Sequence, residues 1–157
     1  MGILDNPQIQ IIFQLLLATF LGGMVGLERE YLRKEAGLRT YSLVSLGATL
    51  FTILGFVAFQ EIGVSWGISF DPSRVIYAVA IGVGFLGTGV IMRRQFRIEG
   101  LTTAAGLWVT AAIGVTVGLK LYSIAFFASF LAVGILAGLR LLEEKVLHKE
   151  PEEETEE

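Results

Sequence analysis

The chain has 157 residues, 54% of them hydrophobic, with a formal net charge of −3 and no cysteine. That length suits one domain, and the composition is more apolar than that of soluble proteins. Disulfides, thiolate chemistry and cysteine-held metals are excluded. The negative balance carries no partner information, because six of the fifteen acidic residues fall in the last eight positions, and no basic excess points to nucleic acid.

Five apolar stretches without a charged side chain dominate: Ile9–Leu27, Tyr41–Phe59, Val75–Met92, Leu101–Leu119 and Leu121–Leu139, each 18 or 19 residues long. As helices they reach about 28 Å, close to the ~30 Å hydrocarbon thickness of a bilayer. They are apolar all round, whereas a soluble helix needs a polar face. The expected fold is an all-α, polytopic bundle of five transmembrane helices over residues 1–142. The segment 143–157 is a charged cytoplasmic tail with no apolar face, of the kind that stays disordered.

The first span is not a signal peptide. Residues 1–8 carry no Lys or Arg, and the stretch runs into Glu28-Arg29-Glu30 rather than a small-residue cleavage site. The cations sort by loop. Ten of the twelve lie between spans 1 and 2, between spans 3 and 4, or after span 5; the other side has only Arg74 and Lys120. Positive charge marks the cytoplasmic face, which places the N-terminus outside and the C-terminus inside.

The connection between spans 2 and 3 contains Asp71-Pro72, an N-cap residue followed by a residue suited to the first helical position. Span 3 is expected to start there. Only Lys120 separates spans 4 and 5, and Gly118 can end span 4. A faint repeat at an offset of 63 matches Gly26 to Gly89, Gly37-Leu38 to Gly100-Leu101 and Thr40 to Thr103. Its units would be spans 1–2 and spans 3–4, related in parallel.

Gly82-Val83-Gly84-Phe85-Leu86-Gly87 spells GxGxxG. A dinucleotide site needs a strand before it and a helix after it; here the motif lies inside an apolar span. With Gly89, these glycines read instead as a bare stretch that admits another helix backbone or lines a narrow path. Glu28 abuts the first apolar run, and a charge so near hydrocarbon needs a partner. Arg39 opens span 2 at the same depth, and Arg93 and Glu99 lie on the same side. The expectation is a cytoplasmic charged network of Glu28, Arg29, Arg39, Arg93 and Glu99. Thr40, Thr102 and Thr103 stand at helix starts, where they can cap exposed N–H groups or hydrogen-bond between helices.

Trp66 and Tyr77 suit the outer interface and Tyr41 the inner one. Trp108 lies deeper and is expected to pack between helices or to use its indole N–H on a neighbouring Thr or carbonyl. His148 belongs to the solvated tail. The middles of the spans offer Ser, Thr and Gln14 but no Asp, Glu, His, Lys, Arg or Asn. Mg²⁺ normally asks for carboxylates, so these middles do not support a cation path, and no cofactor is called for. No nucleophile–base pair, phosphate loop or metal-ligand cluster suggests an enzyme.

Four blocks in order resemble the MgtC/SapB family. They are Gly26-Leu27-Glu28-Arg29-Glu30; Ala36-Gly37-Leu38-Arg39-Thr40 with Leu43-Val44 and Gly47-Ala48; Gly84-Phe85-Leu86-Gly87-Thr88-Gly89-Val90-Ile91; and Gly100-Leu101-Thr102-Thr103-Ala104-Ala105 with Trp108. The resemblance covers roughly residues 9–142. It implies a multi-pass protein of the bacterial inner membrane, associated with magnesium homeostasis and with adaptation to low magnesium or stress. It points to Glu28, Arg39, Gly84, Gly87, Gly89, Thr103 and Trp108 as the functional core. Better-known relatives carry a soluble domain after the last span, where this chain has its acidic tail. The implied role is a regulatory or binding membrane module, contacting a second copy or another membrane protein within the bilayer. The alternative is a transporter or channel for Mg²⁺ or another small solute, with a path between spans 2, 3 and 4.

Overall fold

The computed structural model describes residues 6–60, 71, 73–94 and 97–142. Five helices follow one another: α1 (Pro7–Tyr31), α2 (Leu38–Ala58), α3 (Ser73–Val90), α4 (Leu101–Gly118) and α5 (Tyr122–Gly134). The last continues through a π-helical stretch, Ile135–Leu139, to Leu142. All five are long and apolar enough to cross a membrane, so the chain is a multi-pass membrane protein. Between α3 and α4 lies an element absent from the sequence reading. It is a two-stranded antiparallel ribbon of β1 (Met92–Arg94) and β2 (Arg97–Glu99), with Met92 opposite Glu99. Trp66, Pro72 and the tail 143–157 with His148 lie outside the described residues.

Helix ends explain the up-and-down order. Asn6 caps α1 by accepting from the Gln8 N–H at 2.9 Å, with Pro7 in the first turn. Asp71 starts α3, accepting from the Ser73 N–H at 3.0 Å and the Ser73 hydroxyl at 2.6 Å. Two helices end in the same left-handed closure. After α1 the Lys34 N–H reaches the Arg29 carbonyl and the Arg33 N–H reaches Glu30, with Arg33 at φ 52°. After α4 the Leu121 N–H reaches Thr116 and the Lys120 N–H reaches Val117, with Lys120 at φ 62°. Both are Schellman motifs built without glycine. Lys120, not Gly118, therefore turns the chain from α4 into α5.

Side chains are distributed inside out, as lipid requires. Phe13, Phe20, Phe51, Phe85, Phe127 and Phe130 are exposed. Gln14, Ser45, Thr49, Thr52, Thr103, Thr110 and Ser129 are buried. Lipid tails are as apolar as leucine, so no hydrophobic force drives these helices together; close packing and hydrogen bonds must do so. Glycines supply the closeness. A Cβ on Gly22 of α1 would stand 2.6 Å from the Ser45 Cβ and 2.7 Å from the Tyr41 carbonyl oxygen. One on Gly26 would stand 2.7 Å from the Tyr41 Cβ. From the other side, a Cβ added to Gly106 or Gly118 of α4 would stand 2.5 Å from the Tyr41 hydroxyl or 2.8 Å from the Thr52 Cβ, and one on Gly114 would run into the Ser45 backbone. Helix α2 is thus clasped between the bare stripes of α1 and α4.

Hydrogen bonds fasten the same three helices. The Thr49 hydroxyl donates to the Gly114 carbonyl at 2.7 Å. The Gln14 amide donates to the Val117 and Gly118 carbonyls at 2.8 and 3.1 Å, satisfying the last turn of α4 from α1. In a bilayer those carbonyls have no water to turn to. Helix α3 leans on α4 by Val79, Val83 and Gly87 and leaves most of its surface bare.

Candidate functional site

Charge collects at the arginine-rich end of the bundle, where α1 ends and α2 and α4 begin. Arg29 follows Gly22 and Gly26 by seven and three positions, so the helical period puts it on the packed stripe of α1. It is buried, its side chain only 4% exposed. A guanidinium there must be paired. Its partner is the neighbouring Glu28, 14% exposed, which accepts from Nε and from Nη2, the second at 2.7 Å. The two planar groups meet in a fork, the strongest geometry for this pair.

Two further carboxylates organise the next elements. Glu30 accepts from the Leu38 N–H at 3.1 Å and so satisfies a free donor at the start of α2. Its carboxylate lies where a Cβ on Gly37 would be, so Gly37 is a spatial requirement of that cap. Glu35, in the connection, accepts from the buried Thr103 hydroxyl at 2.7 Å. That bond holds the Glu35 carboxyl below the ordinary glutamate value; its own backbone assists, and Lys34 and Arg29 add smaller attractions. The Tyr41 hydroxyl donates to the Thr103 carbonyl at 3.1 Å. The loop, α2 and α4 are thereby joined through Glu35, Thr103 and Tyr41.

The structure places the sequence-selected residues unevenly. Glu28 and Arg29 pair with each other. Arg39, the expected partner of Glu28, is exposed, because the first turn of α2 presents Tyr41 rather than Arg39 to α1. Glu99 is exposed on the ribbon, and the Arg93 side chain lies outside the described set. Of the threonines, Thr40 and Thr102 are exposed and Thr103 is buried. None caps a helix: the N-cap positions are Gly37 and Gly100, neither with a side-chain cap bond. Gly100 sits at φ 88°, where an added Cβ would run into the Val90 carbonyl.

Gly82, Gly84 and Gly89 have nothing within 4 Å of an added Cβ, and Gly87 makes an ordinary 3.4 Å contact with Ala104. The close-packing role read for them belongs instead to Gly22, Gly26, Gly106, Gly114 and Gly118. The GxxxG spacings at Gly22/Gly26 and Gly114/Gly118 were the available signal. Trp108 is 56% exposed and faces outward rather than packing between helices. Tyr41 is fully buried at the centre of the clasp and is no part of an aromatic belt. Glu35 was missed because nothing local marks a loop carboxylate as the partner of a threonine 68 positions away.

Comparison with known proteins agrees with this architecture. The sequence profile of the MgtC family matches residues 15–145. A relative from Escherichia coli K12 named "Putative magnesium transporter YhiD" is 38% identical over 140 residues, covering 89% of this chain and 65% of that protein. Protein SrpB of Synechococcus elongatus is 36% identical over 154 residues, 91% of this chain and 84% of the relative. Protein MgtC of Brucella abortus is 41% identical over 125 residues, 80% of this chain but 49% of its own length. The chain thus spans just under two thirds of the first of these and about half of the last. No solved structure matches it. Profile and relatives cover the same helical region, and the chain belongs to the MgtC family.

Proposed function

We propose that this protein is a regulatory or binding module of the bacterial inner membrane, acting in magnesium homeostasis or adaptation to low magnesium and stress, by contact rather than by catalysis. The proposed partner is another membrane protein or a second copy. The orientation that suits the cation distribution puts the Glu28–Arg29 pair on the cytoplasmic side. The observation that carries this reading is how polar groups are divided between the interior and one end. The buried hydroxyls of Thr49, Thr52 and Ser129 and the Gln14 amide all donate to helix carbonyls. The Gln14 and Thr49 bonds join helices, those of Thr52 and Ser129 close within their own helix, and the spans contain no carboxylate for a strongly hydrated divalent ion. Ionised groups gather where α1, α2 and α4 meet the connecting loop. The relatives' names, one of them including magnesium, support the physiological setting.

A transport role has one observation in its favour. Ser45 Oγ and Thr110 Oγ1 are buried near the middles of α2 and α4 without a hydrogen-bond partner among the described residues. Purified protein in liposomes separates the readings. The expected result is Mg²⁺ entry no faster than into protein-free liposomes, together with rescue of low-magnesium growth in a deletion strain that Glu35→Ala weakens at unchanged protein level. Saturable Mg²⁺ flux slowed by Thr110→Val would overturn the proposal.

A further inference from the structure

Helices α2 and α3 touch where Gly55 receives Val75, an added Cβ on Gly55 lying 2.6 Å from the Val75 Cγ2. Away from that contact they stand apart and leave an open groove of about 1040 Å³. It extends from Arg74, in the first turn of α3, to Thr40, in the first turn of α2. Because the helices run antiparallel, these two residues mark opposite ends, so the groove runs most of the way across the bilayer. Thirteen of its fifteen lining residues are apolar, and Thr40 and Arg74 are the two exceptions. Its walls alternate projecting side chains, Leu43, Phe51 and Leu54, with bare positions at Gly47 and Gly82.

We infer that this groove holds one anionic phospholipid, its acyl chains along α2 and α3 and its phosphate at the Arg74 guanidinium. The apolar walls suit hydrocarbon chains, which from Arg74 would occupy the half of the groove that lies in one leaflet, about 15 Å of the ~30 Å hydrocarbon core. Among the described lining residues no polar side chain lies between the ends, so none of them recognises a solute or orients a polar peptide. Charge selects the headgroup. Arg74 is exposed and has no ion-pair partner among the described residues. The nearby Asp71 carboxylate is engaged by the Ser73 N–H and hydroxyl at the helix start. The other cation at this end, Lys120, donates to Gln10 on α1 at 3.1 Å. A guanidinium binds phosphate through a planar fork.

The test is native mass spectrometry of the full chain released from bilayers containing phosphatidylglycerol and phosphatidylethanolamine in equal amounts. One bound phosphatidylglycerol is expected in excess over phosphatidylethanolamine. Arg74→Gln should reduce that preference by up to about fivefold, the equivalent of the ~1 kcal/mol at the upper end for an exposed ion pair. Gly47 and Gly82 line the groove and have nothing within 4 Å of an added Cβ, so Gly47→Leu with Gly82→Leu directs side chains into its open space. That double variant should keep its helicity and elution volume while losing both lipids. Equal retention of phosphatidylglycerol by wild type, Arg74→Gln and the groove-filled variant would overturn the inference. So would a wild-type dimer that becomes a monomer when the groove is filled, which would assign the groove to a second copy.

Discussion

Helices α1, α2 and α4 and the outlying α3 are built from similar material and held in different ways. Both regions are glycine-rich and apolar, yet half of α4 is buried against 11% of α3. The glycines of α1 and α4 meet α2 so closely that an added methyl would overlap it, and those of α3 mostly meet nothing. Glycine content alone therefore says little about membrane-helix packing. What matters is whether the bare positions recur on one face and whether a neighbour brings hydrogen-bonding side chains to the same line. Gly106, Gly114 and Gly118 lie at four-residue multiples along α4 and meet Tyr41, Ser45, Ala48 and Thr52 of α2. Gly82, Gly84 and Gly89 share no such partner.

Several substitutions would sharpen or break this contrast, each read as unfolding in mixed micelles followed by helicity. The largest effect is expected from Glu28→Ala, which leaves the buried Arg29 without its carboxylate and should cost about 3–5 kcal/mol. A wild-type unfolding curve for that variant would show that Arg29 reaches water or another partner. Next is a matched pair of glycines. Gly22→Leu should cost about 1–3 kcal/mol or more by overpacking against Ser45 and Tyr41. Gly84→Leu should stay within about 0.5 kcal/mol. Equal losses at the two positions would erase the distinction between core and outlying helix. Tyr41→Phe keeps the ring between Gly26 and Gly106 but removes the bond to the Thr103 carbonyl, and should cost about 1 kcal/mol.

The smallest effect is a pH dependence at Glu35. The Thr103 hydroxyl holds its folded-state proton affinity below that of an ordinary glutamate, so the native state binds fewer protons there than the unfolded chain. Its contribution is fully present above the ordinary glutamate value and is lost as pH falls through the depressed folded value. Thr103→Val should flatten stability across that acidic window, with its loss full at neutral pH and fading below the depressed folded value. An acid slope of the same steepness in Thr103→Val would remove Glu35 from the set of joining contacts.

Much of the architecture was legible in the residues. Five charge-free runs of bilayer length fixed five helices within a few positions, and Asp71 marked the start of α3. The repeat at an offset of 63 proved less informative about roles. Gly37 and Gly100 both precede helices, but one yields space to Glu30 and the other adopts a left-handed φ. Gly26 is packed where Gly89 is open, and Thr103 is buried where Thr40 is exposed. The site was half legible. Glu28 demanded a partner, and the sequence could not say that Arg29 rather than Arg39 would supply it.

The sequence by itself determined that the chain lives in lipid, how often it crosses and where charge must gather, because burial of an unpaired polar backbone in hydrocarbon leaves only helices of bilayer length. The tertiary structure decided which helix faces meet, and with them which glycines are indispensable, which arginine is buried and which threonine reaches Glu35. These choices depend on rotation about each helix axis. An all-round apolar helix carries almost no preference for one rotation until a neighbour's side chains close against it.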